Sequence, residues 1–260
     1  MKTRCRIILI MIVAVSVTGV IRGQEFKQTL GSSASITIHS LFGNLYIEGI
    51  SGNDLIITTE DYEKPPPRAD GLKPLYFSGE ENTGIGLSFM EEGNKVTLTG
   101  ALKQSQDATY IMKVPESANL AIDLSSPFAS GIEIENIKGE LDITSLNSTI
   151  KLLGITGPAV IHSVSGDIEG SFSSISQENP SFISTVSGII DMAIPAGGPA
   201  TLEINTTTGE AYSDLDLQFE KGNESNLKRI GGQTIKGTLG NDGVTLTFTT
   251  VSGEIYLRKK

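Results

Sequence analysis

Apolar and polar residues alternate along short runs through most of the chain. Ser35-Ile36-Thr37-Ile38 alternates, as do Asn44-Leu45-Tyr46-Ile47-Glu48, Lys95-Val96-Thr97-Leu98-Thr99 and Val244-Thr245-Leu246-Thr247-Phe248. A period of two sends successive side chains to opposite faces of an extended chain, so each run predicts a strand with one buried face. Thr, Ile, Val and Ser dominate these runs, which suits a pleated surface. Apolar positions three and four apart do not persist without a glycine or proline between them, so helices are not expected.

The strands share a motif. A small polar residue precedes a glycine, and apolar residues follow at the second and often the fourth position. Ser165-Gly166 leads to Ile168, Ser187-Gly188 to Ile190 and Met192, Thr208-Gly209 to Ala211, and Ser252-Gly253 to Ile255 and Leu257. Gly43 and Gly139 open similar units, and Ser148 stands for the glycine before Ile150 and Leu152. Ser130-Gly131 is left out of the series because Ile132 and Ile134 fall out of phase with it. The steps are 18, 22 and 21 residues from Ser148 to Gly209, then 44 to Gly253, as if one unit were missing. One strand motif per 18–22 residues predicts an all-β solenoid, or β-helix, in which each coil of chain is a rung stacked on its neighbours. Glycine is expected at the corners for its left-handed dihedrals, and about ten rungs would give a rod of roughly 50 Å. An ordinary β-sandwich is the alternative, since sandwiches also have short strands and regular turns.

Two segments break the pattern. Residues 61–83 contain Pro65-Pro66-Pro67, which cannot sit in a central strand, and predict an excursion from the solenoid. Glu220 to Gly232 is polar and glycine-rich and falls where the missing unit is expected.

The N-terminal segment sets an address. Lys2, Arg4 and Arg6 precede an uncharged apolar run from Ile7 to Ile21, followed by Gly23 and Gln24. This order predicts a secretory signal peptide over residues 1–23, with one solenoid domain over 24–260. Cys5, the single cysteine, precedes the apolar run, so it gives no lipid anchor and no disulfide. Cleavage removes four of the 20 basic residues and none of the 30 acidic ones, taking the net charge from −10 to −14. That balance disfavours nucleic acid and anionic membrane surfaces. The expected location is the periplasm, the outer cell surface or the extracellular space.

Tyr110-Ile111-Met112-Lys113-Val114-Pro115-Glu116-Ser117-Ala118-Asn119-Leu120 is followed by Ile137-Lys138-Gly139, Ile155-Thr156-Gly157, Val164-Ser165-Gly166 and Val186-Ser187-Gly188. From about Leu41 to Leu257, this succession resembles the bacterial putative-adhesin domains of unknown function. The resemblance implies a β-helix-like fold and a cell-surface or secreted role, with no catalytic residues to carry over. The chain departs from the pattern in its proline-rich excursion and at Ser148.

Reactive chemistry is sparse. His39 and His162 each stand alone in a strand-like run and read as surface residues. The acid pairs Asp167/Glu169, Glu133/Glu135 and Asp214/Asp216 alternate with apolar residues and point to solvent. No catalytic, metal or cofactor residues are therefore assigned. One outward feature stands apart. Tyr46, Asp142, Glu169, Asp191, Tyr212 and Tyr256 occupy the third position after a motif glycine, and Lys151 the same position after Ser148. Stacked rungs would align them as a ladder able to contact sugars through tyrosine or to hold calcium through carboxylates.

The reading is an exported, non-enzymatic protein that binds or scaffolds at the cell envelope, its partner a surface glycan or protein. A polysaccharide lyase or hydrolase on the same scaffold and an envelope-sensing domain are the alternatives. The basic tail Arg258-Lys259-Lys260 is expected to shield the open edge of the last rung, an edge that also allows end-to-end self-association.

Overall fold

A computed structural model describes residues 24–41, 43–60, 62, 65–72, 79–101, 108–125, 129–219 and 233–260. The signal-peptide segment 1–23 and the Glu220 to Gly232 patch lie outside the described residues. The chain passes through β1 (Gln24–Thr29), β2 (Ser35–His39), β3 (Gly43–Ile50), β4 (Asp54–Glu60), β5 (Leu87–Glu92), β6 (Lys95–Gly100) and β7 (Thr109–Pro115). It continues through β8 (Asn119–Leu124), β9 (Ala129–Glu135), β10 (Leu141–Ser145), β11 (Ile150–Ile155), β12 (Ala159–Ser163), β13 (Ile168–Phe172) and β14 (Ser181–Thr185). The last elements are β15 (Ile190–Ile194), β16 (Ala200–Thr206), β17 (Ala211–Ser213), β18 (Gln218–Phe219), β19 (Gln233–Leu239), β20 (Thr245–Thr250) and β21 (Ile255–Lys259).

The strands form two sheets. The front sheet has the order β1-β4-β7-β3-β9-β11-β13-β15-β21-β17, and the back sheet β18-β19-β16-β20-β14-β12-β10-β8-β2-β6-β5. A rung is one back strand and the front strand that follows it. Among the described residues eight such rungs stack in parallel, β6/β7 first and β16/β17 last, a column of roughly 34 Å at the inter-strand spacing of sheets. The solenoid expectation holds, with two strands per rung and fewer rungs than the ten expected.

Alternation places the core between the sheets. In the front sheet Leu45, Ile132, Ile150, Ile168, Ile190 and Ile255 are in register and fully buried. In the back sheet Ile38, Ile122, Ile143, Ile161, Ile183, Phe248 and Ile204 form the facing column. Ile132 and Ile134 belong to this core, so β9 is a full rung member although its phase relative to Gly131 differs from the motif.

Rung order departs from chain order at both ends. β6/β7 stacks outside β2/β3, and β20/β21 lies between β14/β15 and β16/β17. The rungs carrying Gly209 and Gly253 are therefore neighbours, and no rung is missing between them. The basic tail does not shield an edge, because β21 is interior. Its cations reach nearby segments: Arg258 pairs with Asp191 of β15, Lys259 Nζ with Asp216 beyond β17 at 2.9 Å, and Lys260 Nζ donates to Phe172 O of β13.

Antiparallel strands finish the stack. β4 and β1 follow β7 in the front sheet and β5 follows β6 in the back sheet, while β19 and β18 follow β16 at the far end. Phe26 of β1 meets Phe89 of β5 with ring centroids 5.0 Å apart, which closes the core between the two edge strands. In the described part of the proline-rich excursion, between β4 and β5 in the chain, exposed Pro65 and Pro66 lead into a 3-10 turn, Pro67–Ala69.

The corner between back and front strands repeats closely. Ser145, Ser163, Thr185, Thr250 and Thr206 form a buried column of hydroxyls in register. Those of Ser145, Ser163, Thr185 and Thr250 accept the N–H three residues on, from Ser148, Gly166, Gly188 and Gly253. That bond satisfies the buried hydroxyl and shapes the turn. Ser165, Ser187, Ser252 and Thr208 donate their hydroxyls to the carbonyls of Leu146, Val164, Val186 and Val251 in the adjacent rung. The glycines serve close approach. Gly166, Gly188, Gly253 and Gly209 do not adopt left-handed dihedrals. A Cβ on each would lie well under 3.0 Å from the carbonyl oxygen of Ser148, Gly166, Gly188 and Gly253 in turn. Among the motif glycines Gly43 does take positive φ, at 87°.

Candidate functional site

The outward face of the front sheet carries the candidate site. Register places Ile111, Tyr46, Glu133, Lys151, Glu169, Asp191, Tyr256 and Tyr212 in one line across eight neighbouring strands. Five of the six ladder residues and Lys151 lie in that line. Asp142 does not. It is on β10 of the back sheet, beside Ala121 and Val160. A rung has two strands, and Gly139 precedes the back one, so the third position after it faces the opposite side of the molecule. Glu133 takes the vacant place, hidden from the motif because β9 is out of phase with Gly131. Its phase against Ile132 and Ile134 was the usable signal.

The end of the line is the most organised part. Gly209-Glu210-Ala211-Tyr212 and Gly253-Glu254-Ile255-Tyr256 are copies of one short motif on adjacent strands. Their tyrosine rings stack 5.3 Å apart at an interplanar angle of 14°. Each phenol donates to the glutamate two residues before it, Tyr212 to Glu210 and Tyr256 to Glu254, the latter at 2.6 Å. Arg258 makes two bonds of 2.7 Å to the Asp191 carboxylate on β15 and lies over the Tyr256 ring, 5.6 Å from its centroid. Asp191 is on the β15 side of Tyr256 and Tyr212 on the β17 side, so the order is Arg258, Tyr256, Tyr212. The ring faces point along the stack rather than out to solvent. Tyr212 is half-exposed on the last strand of the sheet, and among the described residues no strand lies beyond it.

These contacts set the local electrostatics. The hydrogen bond to Glu210, and then its charge, push the Tyr212 phenol up to about 12. The bond to Glu254 raises Tyr256, with loss of solvation second, and the bond to Asp191 raises Arg258. Because the folded state raises the Tyr212 pKa, the protonated phenol favours folding below the ordinary tyrosine range, near 10. That contribution is lost as pH rises through about 12. Subtracting the ultraviolet titration of Tyr212→Phe from that of the intact chain is expected to show a phenol ionising near 12, and Glu210→Gln to bring it back towards 10. An ordinary titration in the intact chain would contradict the contact.

The remaining candidates are scattered. His39 Nε2 lies 3.2 Å from the Thr99 hydroxyl, and His162 Nδ1 2.9 Å from that of Ser184, both on the back sheet. Asp167 accepts the Ile189 N–H, and Asp214 and Asp216 hold the backbone and side chain of Lys259. Among the described residues no group of three or more His, Cys, Asp or Glu could hold a metal ion, and no helix is long and apolar enough to cross a membrane.

Comparison with known proteins places this architecture. A putative cell adhesion protein from Clostridium sporogenes ATCC 15579 superposes with a TM-score of 0.51 at 10% identity, over 92% of this chain and 100% of that one. A putative adhesin from Bacteroides fragilis NCTC 9343 gives a TM-score of 0.40 at 11% identity, over 91% and 96%. At such identity the first likeness speaks to the fold. No curated protein matches the chain. Residues 123–258 match the Toastrack DUF4097 family, covering rungs from β9 to β21 and the Arg258–Tyr256–Tyr212 stack. The chain therefore belongs to the Toastrack DUF4097 family.

Proposed function

We propose that this chain is an exported, non-enzymatic envelope protein that binds a surface partner through the outer face of its front sheet. The observation that carries the reading is the line from Tyr46 to Tyr212, held in register by parallel strands and ended by two tyrosines fixed through their own glutamates. Rigid strands hold such a contact surface better than loops do. The cell-adhesion description of the Clostridium sporogenes protein is in keeping with it. Arg258 binds both Asp191 oxygens, so in this line Asp191 already has a cation partner within the chain.

The test applies the labelled chain to intact bacterial cells and to a glycan array, beside a Tyr46→Ala/Tyr212→Ala/Tyr256→Ala variant. Saturable binding, weakened at least severalfold in the variant and without release of reducing sugar, is the expected result. Sugar release would favour the enzyme alternative, and equal binding by the variant would remove the front sheet from the account. Fractionation with surface protease shaving is expected to find the chain outside the cytoplasm.

A further inference from the structure

We propose, on the reading that the front sheet is the binding face, that the open edge of β17 takes up an arginine-bearing extended segment of a partner protein. The segment adds as a strand and seats an arginine on Tyr212 as Arg258 is seated on Tyr256. Three observations converge. The first is backbone geometry. Ile255 N–H donates to Glu210 O at 3.0 Å and Asp214 N–H to Leu257 O at 3.4 Å. Alternate residues of a parallel strand face the same neighbour, so Ala211 and Ser213 turn their N–H and C=O groups away from β21. Among the described residues no strand pairs that side. An unpaired edge of this kind is a template for strand addition.

The second is charge. Glu210 and Glu254 are held by tyrosine hydroxyls rather than by cations among the described residues, and just beyond β17 Asp214 accepts the Lys259 backbone N–H while Asp216 pairs with the Lys259 ammonium. A second copy of this chain suits the edge poorly. Antiparallel pairing of two β17 strands about Tyr212 would oppose Glu210 to Asp214 of the other copy, and like charges opposite one another repel. A basic segment has no such conflict. The third is the built-in precedent. Arg258 on Tyr256 shows that this stack accepts a guanidinium on an aromatic face, and among the described residues no ring or cation contact covers the other face of Tyr212.

The test uses a fluorescein-labelled peptide of alternating arginine and threonine, followed by anisotropy with the full chain. Saturable binding is expected, weaker by about fivefold to tenfold for Tyr212→Ala and unchanged for Phe182→Ser on the back sheet. Circular dichroism confirms that both variants fold. A peptide of equal charge, N-methylated at alternate residues, is expected not to bind. Equal binding by the methylated peptide would mean charge attraction alone and would overturn strand addition. Indifference to Tyr212→Ala, or no binding of the plain peptide, would also overturn the proposal. Envelope binding that still needs the front sheet would then leave the broader reading standing.

Discussion

Deleting residues 244–260 is expected to abolish cooperative folding rather than to shorten the stack by one rung. In a solenoid whose rungs follow chain order, the last coil is a removable end. Here β20 and β21 are interior, each flanked on both sides by parallel partners. The deletion removes Leu246, Phe248, Ile255 and Leu257, all essentially inaccessible. Burial of each contributes about 1.5–3 kcal/mol, so roughly 6–12 kcal/mol is lost. That rivals the whole stability of an ordinary domain, about 5–15 kcal/mol. It also opens β14/β15 and β16/β17 along both sheets. Thermal melting followed by circular dichroism is expected to lose its sigmoidal transition. A cooperative melt within a few degrees of the intact chain would contradict the interior placement.

Gly188→Ala is the second large effect. The added methyl meets the Gly166 carbonyl at a separation that real Cβ atoms do not show. Gly188 cannot retreat, because Gly253 packs on its carbonyl from the other side and Gly166 is itself against Ser148. The obstacle is backbone on both sides, so a cost of about 3 kcal/mol or more is expected in denaturant unfolding. Gly197→Ala, where the site is open, is expected to stay within about 0.5 kcal/mol. Gly188→Asn separates close approach from dihedral freedom. Asparagine tolerates left-handed backbone, so it would be accepted if the corner needed that conformation. It is expected to fail as badly as alanine.

Much of the fold is legible in the chain because alternation and the glycine motif report local geometry. The motif predicts the rungs, and the inward Ile and Leu columns fall where period two puts them. The corner hydroxyls were equally open to view: Ser145, Ser163, Thr185, Thr206 and Thr250 each lie three residues before the motif position. Rung order was not legible. Neighbouring rungs from β12/β13 to β20/β21 present the same inward residue type, a corner hydroxyl and a motif glycine to one another, so local pattern does not decide which rung stacks on which. What distinguishes the orders is the path of the connections, which period and composition do not record. The candidate site suffered twice from this. The Tyr212–Tyr256 stack needs β17 and β21 to be neighbours although 44 residues separate their motif glycines. Asp142 was misplaced because one period holds two corners, each with a glycine.

The stack, the open edge and the binding face all depend on β20/β21 lying between β14/β15 and β16/β17. Cysteine pairs on the exposed back sheet test this with Cys5, the chain's single cysteine, replaced by serine. Phe182 of β14 is in register with Thr247 of β20, and Thr247 with Glu203 of β16. Neighbouring strands sit about 4.8 Å apart, within disulfide reach, whereas strands two apart lie beyond about 7 Å. Mild oxidation is expected to close Phe182→Cys/Thr247→Cys and to leave Phe182→Cys/Glu203→Cys as free thiols. Closure of the second pair with the first left open would contradict the account.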